Sequence, residues 1–209
     1  MENMENIYVN KSYELISEHF NDTRVYYWKS IKEFVLSFPS NSLLLDAGCG
    51  NGKNMLIRDN CHIIGFDNCK NLIRICKNKD LSILLSNIKY LPYRSNLFDG
   101  IFCVAVIHHL ENIDNRKKAI NELIRVTKPN GKIFIQVWAN NINKTKKFIN
   151  IDNNDYYVTW RLNKTNENIK RYYHLFTKDE LIKLIDFNLV SLIDIIYELN
   201  NWIIIIKKN

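Results

Sequence analysis

The sequence lacks the features that mark a secreted or membrane protein. Its five cysteines include no C-x-x-C pair and their number is odd, which argues against a disulfide framework and against a zinc knot. The longest purely aliphatic run, residues 203–206, is far too short to cross a bilayer. The polar residues 1–6 lack the hydrophobic segment of a signal peptide. We therefore expect a soluble protein of the cytoplasm, with the nucleus as an alternative, and no membrane partner.

Length and charge narrow the class of protein further. A chain of 209 residues is long enough for one well-packed domain and too short for two comfortable ones. A content of 46% hydrophobic and 24% charged residues is ordinary for a globular protein. The net charge of +7 suits a polyanion such as a nucleic acid. Because Asn, Lys and Ile are abundant throughout, compositional bias explains the charge about as well.

Only six glycines are present, and three of them fall in one short stretch. Residues 43–53 read L-L-L-D-A-G-C-G-N-G-K, which predicts a buried strand that turns sharply into a helix and lets a ligand lie against the main chain. The spacing is G-x-G-x-G and not the G-x-G-x-x-G of dinucleotide-binding folds. The carboxylate of Asp46 suits a cationic group better than a phosphate. A nucleoside that carries an amino acid therefore fits this loop.

A second acid supports this interpretation. Asp67 ends the next apolar segment, C-H-I-I-G-F-D, about 20 residues past the loop, where a carboxylate can accept hydrogen bonds from ribose hydroxyls. The loop and the acid together are a stronger signal than either alone. The alternative is a structural turn followed by a helix-capping aspartate.

Strand and helix patterns alternate along the chain and predict an α/β fold with a mostly parallel sheet and right-handed crossovers. Two helices precede the sheet, and a helix and a closely joined strand pair follow its fifth strand. The predicted strands cover residues 43–46, 62–66, 82–85, 98–104, 132–138, 190–197 and 202–207. We expect a single domain over 1–209 that consists of N-terminal helices (1–39), a cofactor-binding core (40–139), a substrate-side insert after strand five (140–176), and a C-terminal helix and antiparallel hairpin (177–209).

Two segments are expected at the carboxyl edge of the sheet, where open α/β folds bind ligands. Strand four ends in A-V-I-H-H-L, so His108 is expected to face the substrate or, alternatively, to be a core or helix-capping residue. A metal site is not expected, because adjacent residues on one strand diverge. Strand five ends in V-W-A, and Trp138 is either plain core packing or a platform on which a base stacks.

The loop D-A-G-C-G-N-G followed by G-F-D resembles the class I methyltransferases that use S-adenosylmethionine. This resemblance implies a Rossmann-like fold in which the loop faces the methionine part of the cofactor and the second acid binds its ribose. Residues 86–93, S-N-I-K-Y-L-P-Y, are similar to the A-D-x-x-x-L-P-[FY] segment whose acid contacts the adenine amino group, and an asparagine can also accept that hydrogen bond. The implied cofactor-binding residues are Asp46, Gly48, Gly50, Asn51, Gly52, Asp67, Asn87 and Ile88.

A narrower resemblance covers nearly the whole chain, from about Tyr13 to Trp202. The motifs that carry it are H-F-N-D-T-R-x-Y-Y-W (19–28), L-L-D-A-G-C-G-N-G-K (44–53), A-V-I-H-H-L (105–110), V-W-A (137–139), R-Y-Y-H-L-F (171–176) and Y-E-L-N-N-W (197–202). The family it indicates is the eukaryotic tRNA wobble-uridine methyltransferases, which methyl-esterify 5-carboxymethyluridine at position 34. We expect the free-standing form, because the sequence carries neither the oxygenase nor the RNA-recognition domain of the animal members. The resemblance implies the tRNA anticodon loop as substrate and a small zinc-containing activator subunit as partner.

The implied nucleophile is a carboxylate that is already ionised at neutral pH, so no general base is expected. Arginine is the natural clamp for a carboxylate, and Arg24 and Arg171 lie in the two most particular motifs. The alternatives are that Arg171 is one solvated cation of a basic insert and that Tyr173 only anchors this insert. The expected catalytic residues are Arg24, His108, Arg171, Tyr173 and His174, and the expected substrate-binding residues are Trp138 and Lys170.

Two other functions stay open at the level of sequence. The first is a class I methyltransferase for a small carboxylic acid or a lipid-like acceptor. The second is a non-catalytic scaffold on a decayed methyltransferase fold, against which the intact Gly48, Gly50, Gly52 and Asp67 argue.

Overall fold

A computed structural model describes residues 3–209 as a sheet covered by helices on both faces, with a second, smaller sheet beside it. The helices are α1 (Lys11–Thr23), α2 (Lys29–Leu36), α3 (Lys70–Lys77), α4 (Ile113–Val126) and α5 (Lys178–Lys183). The strands are β1 (Leu43–Ala47), β2 (His62–Asp67), β3 (Ile83–Leu85), β4 (Phe98–Val104), β5 (Thr127–Trp138), β6 (Phe148–Asp152), β7 (Asp155–Arg161), β8 (Asn168–His174), β9 (Val190–Glu198) and β10 (Asn201–Lys208).

The large sheet has seven strands in the order β3-β2-β1-β4-β5-β10-β9. Strand β1 pairs in parallel with β2 and with β4, and β10 lies antiparallel between β5 and β9. This arrangement confirms the predicted mostly parallel sheet with a C-terminal antiparallel hairpin. Because the strand order reverses between β1 and β4, a crevice opens there at the carboxyl ends of the strands.

The central strands are apolar on both faces because helices cover both faces. On one face, Phe34 of α2 packs in a cluster with Leu44 and Phe102. On the other face, Ile120 of α4 packs in a cluster with Leu45. No helix within residues 3–209 is long and apolar enough to span a membrane.

The prediction of a helix directly after the glycine loop is wrong. Only one turn of 3-10 helix, Lys53–Leu56, follows Gly52. The chain must reach the first residue of β2, His62, after few further residues, and Asp59 and Asn60 in between favour a turn. The glycine loop is therefore backed by a short turn and by α3, which begins at Lys70 after β2.

The segment after β5, which the sequence predicts only as an insert, forms the small sheet. Strands β6, β7 and β8 are consecutive and antiparallel. Trp160 and Ile169 pack against Ile16 of α1, whereas Val158 and Tyr173 pack with Trp138 at the end of β5. The small sheet thus connects the N-terminal helix to the carboxyl edge of the large sheet, where the crevice lies.

Candidate active site

A cavity of about 490 Å³ lies in this crevice. Its walls come from α1 and the segment after it, the glycine loop, the ends of β2, β4 and β5, and strand β8. The structure brings most of the predicted site residues together here, although they come from distant parts of the chain. Those that line the cavity are Arg24, Gly48, Gly50, Asn51, Asp67, Asn87, Ile88, His108, Trp138, Arg171 and Tyr173.

The glycine loop forms one wall of the cavity, and all three of its glycines take conformations that side chains rarely adopt. Gly48, Gly50 and Gly52 have φ angles of +79°, +57° and +77°, and a Cβ at Gly48 would lie 2.3 Å from a methyl carbon of Val106. The N–H of Gly50 donates a hydrogen bond to the carboxylate of Asp67 over 2.9 Å. The loop and the acid that form the sequence motif are therefore in direct contact.

Backbone N–H groups fix the orientation of the Asp67 carboxylate. Its Oδ2 accepts from Gly50 and its Oδ1 accepts from the N–H of Cys69, each over 2.9 Å. Burial raises the pKa of Asp67, and these backbone donors oppose the rise. The N–H of Asn68 also acts on this carboxylate, which still has acceptor capacity left, so a nucleoside with free ribose hydroxyls fits this wall beside the side-chain-free glycine loop.

Asp46 occupies a different position from the other loop residues. It is fully buried, does not line the cavity, and neither of its carboxylate oxygens has a hydrogen-bond partner among residues 3–209. Burial first, and then the neighbouring Cys76 and Asp67, raise the pKa of Asp46 well above its ordinary value. Asp46 and Gly52 therefore lie behind the surface that a cofactor would touch, and their predicted direct contacts stay predictions.

The two adjacent histidines differ in whether a ring nitrogen is free. Nδ1 of His108 accepts the N–H of Trp138 over 3.2 Å, so its proton is on Nε2, which is buried and has no partner among the described residues. His109 uses both nitrogens: Nδ1 donates to the carbonyl of Tyr172 over 2.8 Å, and Nε2 accepts from the hydroxyl of Tyr13 over 2.9 Å. His108 thus offers the unused donor, and His109 holds Tyr13 in place.

Both imidazoles are neutral in this environment. Burial lowers the pKa of His108 well below its ordinary value, with smaller contributions from His109 and Arg171, and burial lowers the pKa of His109 to about 3. The chain reaches His108 through Ala105, whose φ of +62° is rare for a residue with a side chain. The end of β4 is therefore shaped to place these rings at the cavity.

Arg171 is a buried cation without an acidic partner. Its side chain is 4% exposed, and its Nη1 donates to the hydroxyls of Tyr173 over 2.6 Å and of Tyr13 over 3.3 Å. Its Nε has no partner, and no carboxylate among residues 3–209 forms an ion pair with it. Burial raises the pKa of Tyr173 well above its ordinary value, so the phenol supplies no countercharge. The interpretation of Arg171 as a solvated cation is wrong.

The second predicted arginine lies on the same aromatic ring. The guanidinium carbon of Arg24 is 4.9 Å from the ring centre of Trp160, and that of Arg171 is 4.7 Å from it. Trp160 is in turn fixed by its indole N–H, which donates to Nδ1 of His19 over 3.0 Å. The sequence motifs do not single out Trp160, although Tyr156, Val158 and Trp160 alternate along this strand as apolar residues.

Flat rings cover the wall beside His108. The ring centre of Tyr173 is 4.9 Å from that of His108, with the ring planes at 27° to each other. It is 4.5 Å from the ring centre of Trp138, with the planes at 31°. Such a surface suits a planar heterocycle. Trp138 is half-buried, so it both packs against Tyr173 and contributes to the cavity wall.

Among the predicted catalytic and substrate-binding residues, two lie outside the cavity wall. Nδ1 of His174 is 2.6 Å from the carboxylate of Asp155, and its Nε2 is 4.0 Å from that of Glu180. Lys170 is exposed, with its ammonium 5.7 Å from the ring centre of Tyr157. A direct catalytic role for His174 and a substrate contact by Lys170 therefore stay predictions, and neither is part of the cavity geometry.

Comparison with known proteins identifies the family of the chain. Residues 45–135 match the methyltransferase domain family. The tRNA (carboxymethyluridine(34)-5-O)-methyltransferase of Schizosaccharomyces pombe is 35% identical over 98% of both chains. The Arabidopsis thaliana protein of the same name is 44% identical over 65% of this chain, which spans 34% of that protein.

Solved structures show the same fold. An S-adenosylmethionine-dependent methyltransferase from Methanosarcina mazei has a TM-score of 0.72 at 20% identity, over 87% of this chain and 98% of that one. The methyltransferase complex with the Trm112 activator from Haloferax volcanii has a TM-score of 0.69 at 11% identity, over 99% of this chain and 97% of that one. The similarities support the predicted methyltransferase activity and methyl donor, and not the small-acid or scaffold alternatives. The chain belongs to the tRNA (carboxymethyluridine(34)-5-O)-methyltransferase family.

Proposed function

We propose that this chain transfers a methyl group from S-adenosylmethionine to the carboxylate of 5-carboxymethyluridine at wobble position 34 of tRNA, which gives the methyl ester. The observation that carries this proposal is the buried guanidinium of Arg171, which has no carboxylate partner among residues 3–209 and lies in the same cavity as Gly50 and Asp67. A buried charge is costly unless it is paired. The carboxylate of the modified uridine supplies the missing partner.

The cavity walls fit the methyl donor. Gly48 and Gly50 present bare backbone for the methionine part, Asp67 offers acceptors for the ribose hydroxyls, and Asn87 and Ile88 lie where the adenine is expected. When bound, S-adenosylmethionine supplies a methyl group on a positively charged sulfur. The chain itself contributes orientation and the exclusion of water.

The substrate carboxylate needs a clamp and not a base. It is ionised at neutral pH, and the lowered pKa values of His108 and His109 make both rings poor proton acceptors. Arg171 holds one carboxylate oxygen, and the Nε2–H of His108 donates to an acceptor of the same nucleotide. Esterification removes the negative charge, which weakens the contact with Arg171 and favours release of the product.

Two surfaces outside the cavity are assigned to macromolecular partners. The exposed lysines of the insert contact phosphates and position the anticodon loop. Within the described residues 3–209 the edge strand β3 pairs only with β2, and its Leu84 and Leu85 are 40% and 45% exposed. We assign this open edge to a small zinc-containing activator subunit. The expected compartment is the cytoplasm. The exposed lysines are Lys144, Lys146, Lys147, Lys164 and Lys170.

The test uses tRNA that carries 5-carboxymethyluridine, labelled methyl donor, the chain and an activator subunit, with mass spectrometry of the nucleosides. The methyl ester of the wobble uridine is the expected product. Arg171→Ala lowers kcat/KM by about 30-fold or more, because the substrate charge loses its partner, while the Kd for S-adenosylmethionine is unchanged. Arg94→Ala, at an exposed arginine outside the cavity, is the matched control. Ester formation at the wild-type rate by the Arg171 variant would exclude the clamp, and no ester with the wild type would exclude the function.

A further inference from the structure

An exposed aromatic segment forms the rim of the cavity. Residues 24–28, R-V-Y-Y-W, connect α1 to α2 and line the cavity mouth. Tyr26 is 86% exposed, Val25 is 56% exposed and Tyr27 is 41% exposed. Large exposed apolar surface that adjoins a binding site commonly marks a contact with a ligand or partner.

The main chain of this rim is fixed although its side chains are exposed. The ammonium of Lys53 donates to the carbonyl of Tyr26 over 2.6 Å and lies 4.7 Å from the ring centre of Trp28. The side-chain amide of Asn51 donates to the carbonyl of Arg24 over 3.2 Å. The rim is therefore tied at two points to the glycine loop, and Tyr26 is presented from an anchored backbone.

The rim also carries two cations that form no ion pair with the described residues. Neither Arg24 nor Lys53 forms an ion pair with a carboxylate among residues 3–209. Burial first, and then the charge of Arg24, lower the pKa of Lys53 to about 8, and the nearby Asp46 opposes this shift. An anion bound between the two cations would relieve this repulsion.

We propose that residues 24–28 and Lys53 form a second nucleotide subsite, in which the ring of Tyr26 stacks on the base next to the wobble base and Lys53 and Arg24 contact the phosphate that joins the two nucleotides. This subsite rests on the proposed function, because the target nucleotide must occupy the cavity for its neighbour to lie at the mouth. Exposed aromatic rings interleaved with cations are the recognition surface for single-stranded RNA. In this arrangement the joining phosphate lies at the rim, where Arg24 and Lys53 both line the cavity.

The test compares anticodon stem-loops that carry 5-carboxymethyluridine at the wobble position. One stem-loop is intact, one lacks the base on the 5′ side of the target, and one lacks the base on the 3′ side. Tyr26→Ala lowers kcat/KM on the intact stem-loop by about 5- to 100-fold, the range for loss of one base–aromatic stack. On the stem-loop that lacks the contacted base, the same substitution has little effect.

Two further variants separate stacking from other causes. Tyr26→Phe keeps the ring and retains wild-type kcat/KM. Phe187→Ala removes another exposed aromatic ring and is expected to leave kcat/KM unchanged. Phe187 is 43% exposed, precedes β9 and does not line the cavity. Equal rates for Tyr26→Ala and wild type on the intact stem-loop would overturn the subsite. So would an equal loss on all three stem-loops.

Fluorescence anisotropy of labelled stem-loops distinguishes this proposal from the proposed function. It needs no methyl transfer, so a wild type that forms no ester would refute the function while Tyr26 is still tested through binding. A Kd that rises about 5- to 100-fold for Tyr26→Ala on the intact stem-loop, and not on the one that lacks the contacted base, supports the subsite. An unchanged Kd for this variant would refute it.

Discussion

The hydroxyl of Tyr13 lies 2.9 Å from Nε2 of His109, and this contact sets the direction of a hydrogen-bond chain. His109 donates through Nδ1 to the carbonyl of Tyr172, so its Nε2 accepts and the hydroxyl of Tyr13 donates. The oxygen of Tyr13 is then free to accept from Nη1 of Arg171, 3.3 Å away. A backbone carbonyl thus orients a buried guanidinium through two side chains.

Removal of the Tyr13 hydroxyl is expected to affect the acceptor substrate and not the cofactor. Tyr13→Phe takes a hydrogen bond from a charged donor, a loss of about 1.5–3 kcal/mol, so kcat/KM for tRNA falls by about 10- to 150-fold. Calorimetry with S-adenosylmethionine gives an unchanged Kd. Tyr197→Phe, which removes a hydroxyl bonded to Asn200 in the C-terminal hairpin, is the control. If Tyr13→Phe changed only the affinity for the cofactor, the proposed hydrogen-bond chain to Arg171 would be contradicted.

The buried charge of Arg171 is expected to destabilise the folded protein. Its charge is buried with no countercharge among residues 3–209, so an apolar side chain of similar length avoids the cost of desolvation. Arg171→Met is expected to raise the free energy of unfolding by about 1 kcal/mol or more, which is about 2–4 °C in Tm for a chain of this size.

Calorimetric unfolding of the Arg171→Met variant is read together with its activity, which should be lost. Arg116→Met is the contrasting variant, because Arg116 is equally buried but lies 3.8 Å from Asp155 and donates to Tyr172. Its loss leaves a carboxylate without this cation and should lower Tm. If Arg171→Met were the less stable of the two, Arg171 would be a structural residue.

The large sheet was predictable from the sequence because each strand carries its own signal. The run L-L-L-D-A before Gly48 indicates a strand buried on both faces, and the structure has β1 at Leu43–Ala47. The small sheet was missed because β6 and β7 are mostly exposed or half-buried and give little periodic signal. The 3-10 turn after Gly52 was missed because a helix was expected from the motif, while the few residues before β2 decide its length.

The site was predictable only where a motif marked it. Arg24 and Arg171 were selected from motifs, but sequence alone gives no reason for them to meet at Trp160, since β7 and β8 bring that ring to α1 only in the folded chain. Tyr13 and His109 were missed for the same reason. Their roles depend on which nitrogen of His109 is occupied, which is a property of the tertiary structure.

The depressed pKa of His109 predicts a loss of stability in acid. Between pH 6.5 and about pH 3 the unfolded chain binds a proton at this histidine and the folded chain does not, so stability is full above pH 6.5 and falls as the pH is lowered. Deep in this window the contribution is about 1.4 kcal/mol per pH unit. Urea unfolding at pH 7 and pH 5 should show a smaller difference for His109→Gln than for the wild type. The exposed His62→Gln should keep the wild-type difference, and equal differences for all three proteins would contradict the prediction.

Asp67 provides the sharpest test of the cofactor wall. Its two oxygens already accept from Gly50 and Cys69, and the predicted ribose hydroxyls would donate to the same carboxylate. Asp67→Asn replaces one acceptor by a donor, so the Kd for S-adenosylmethionine should rise by about 10- to 150-fold, the value of a hydrogen bond to a charged group. Calorimetry measures this Kd, and anisotropy with an anticodon stem-loop should show unchanged RNA binding. Asp59→Asn, at an exposed position, serves as the control.

A second substitution at residue 67 distinguishes the effect of the negative charge from the effect of the position of the carboxylate oxygens. The amide that Asp67→Asn introduces also disturbs the hydrogen bond from the N–H of Gly50, so Asp67→Glu is measured beside it. The longer side chain keeps the charge but moves the oxygens away from both backbone donors, and the Kd for S-adenosylmethionine should again rise. Wild-type affinity in Asp67→Glu would show that the exact position of the carboxylate is unimportant. A wild-type Kd for S-adenosylmethionine in Asp67→Asn would show that Asp67 does not bind the cofactor.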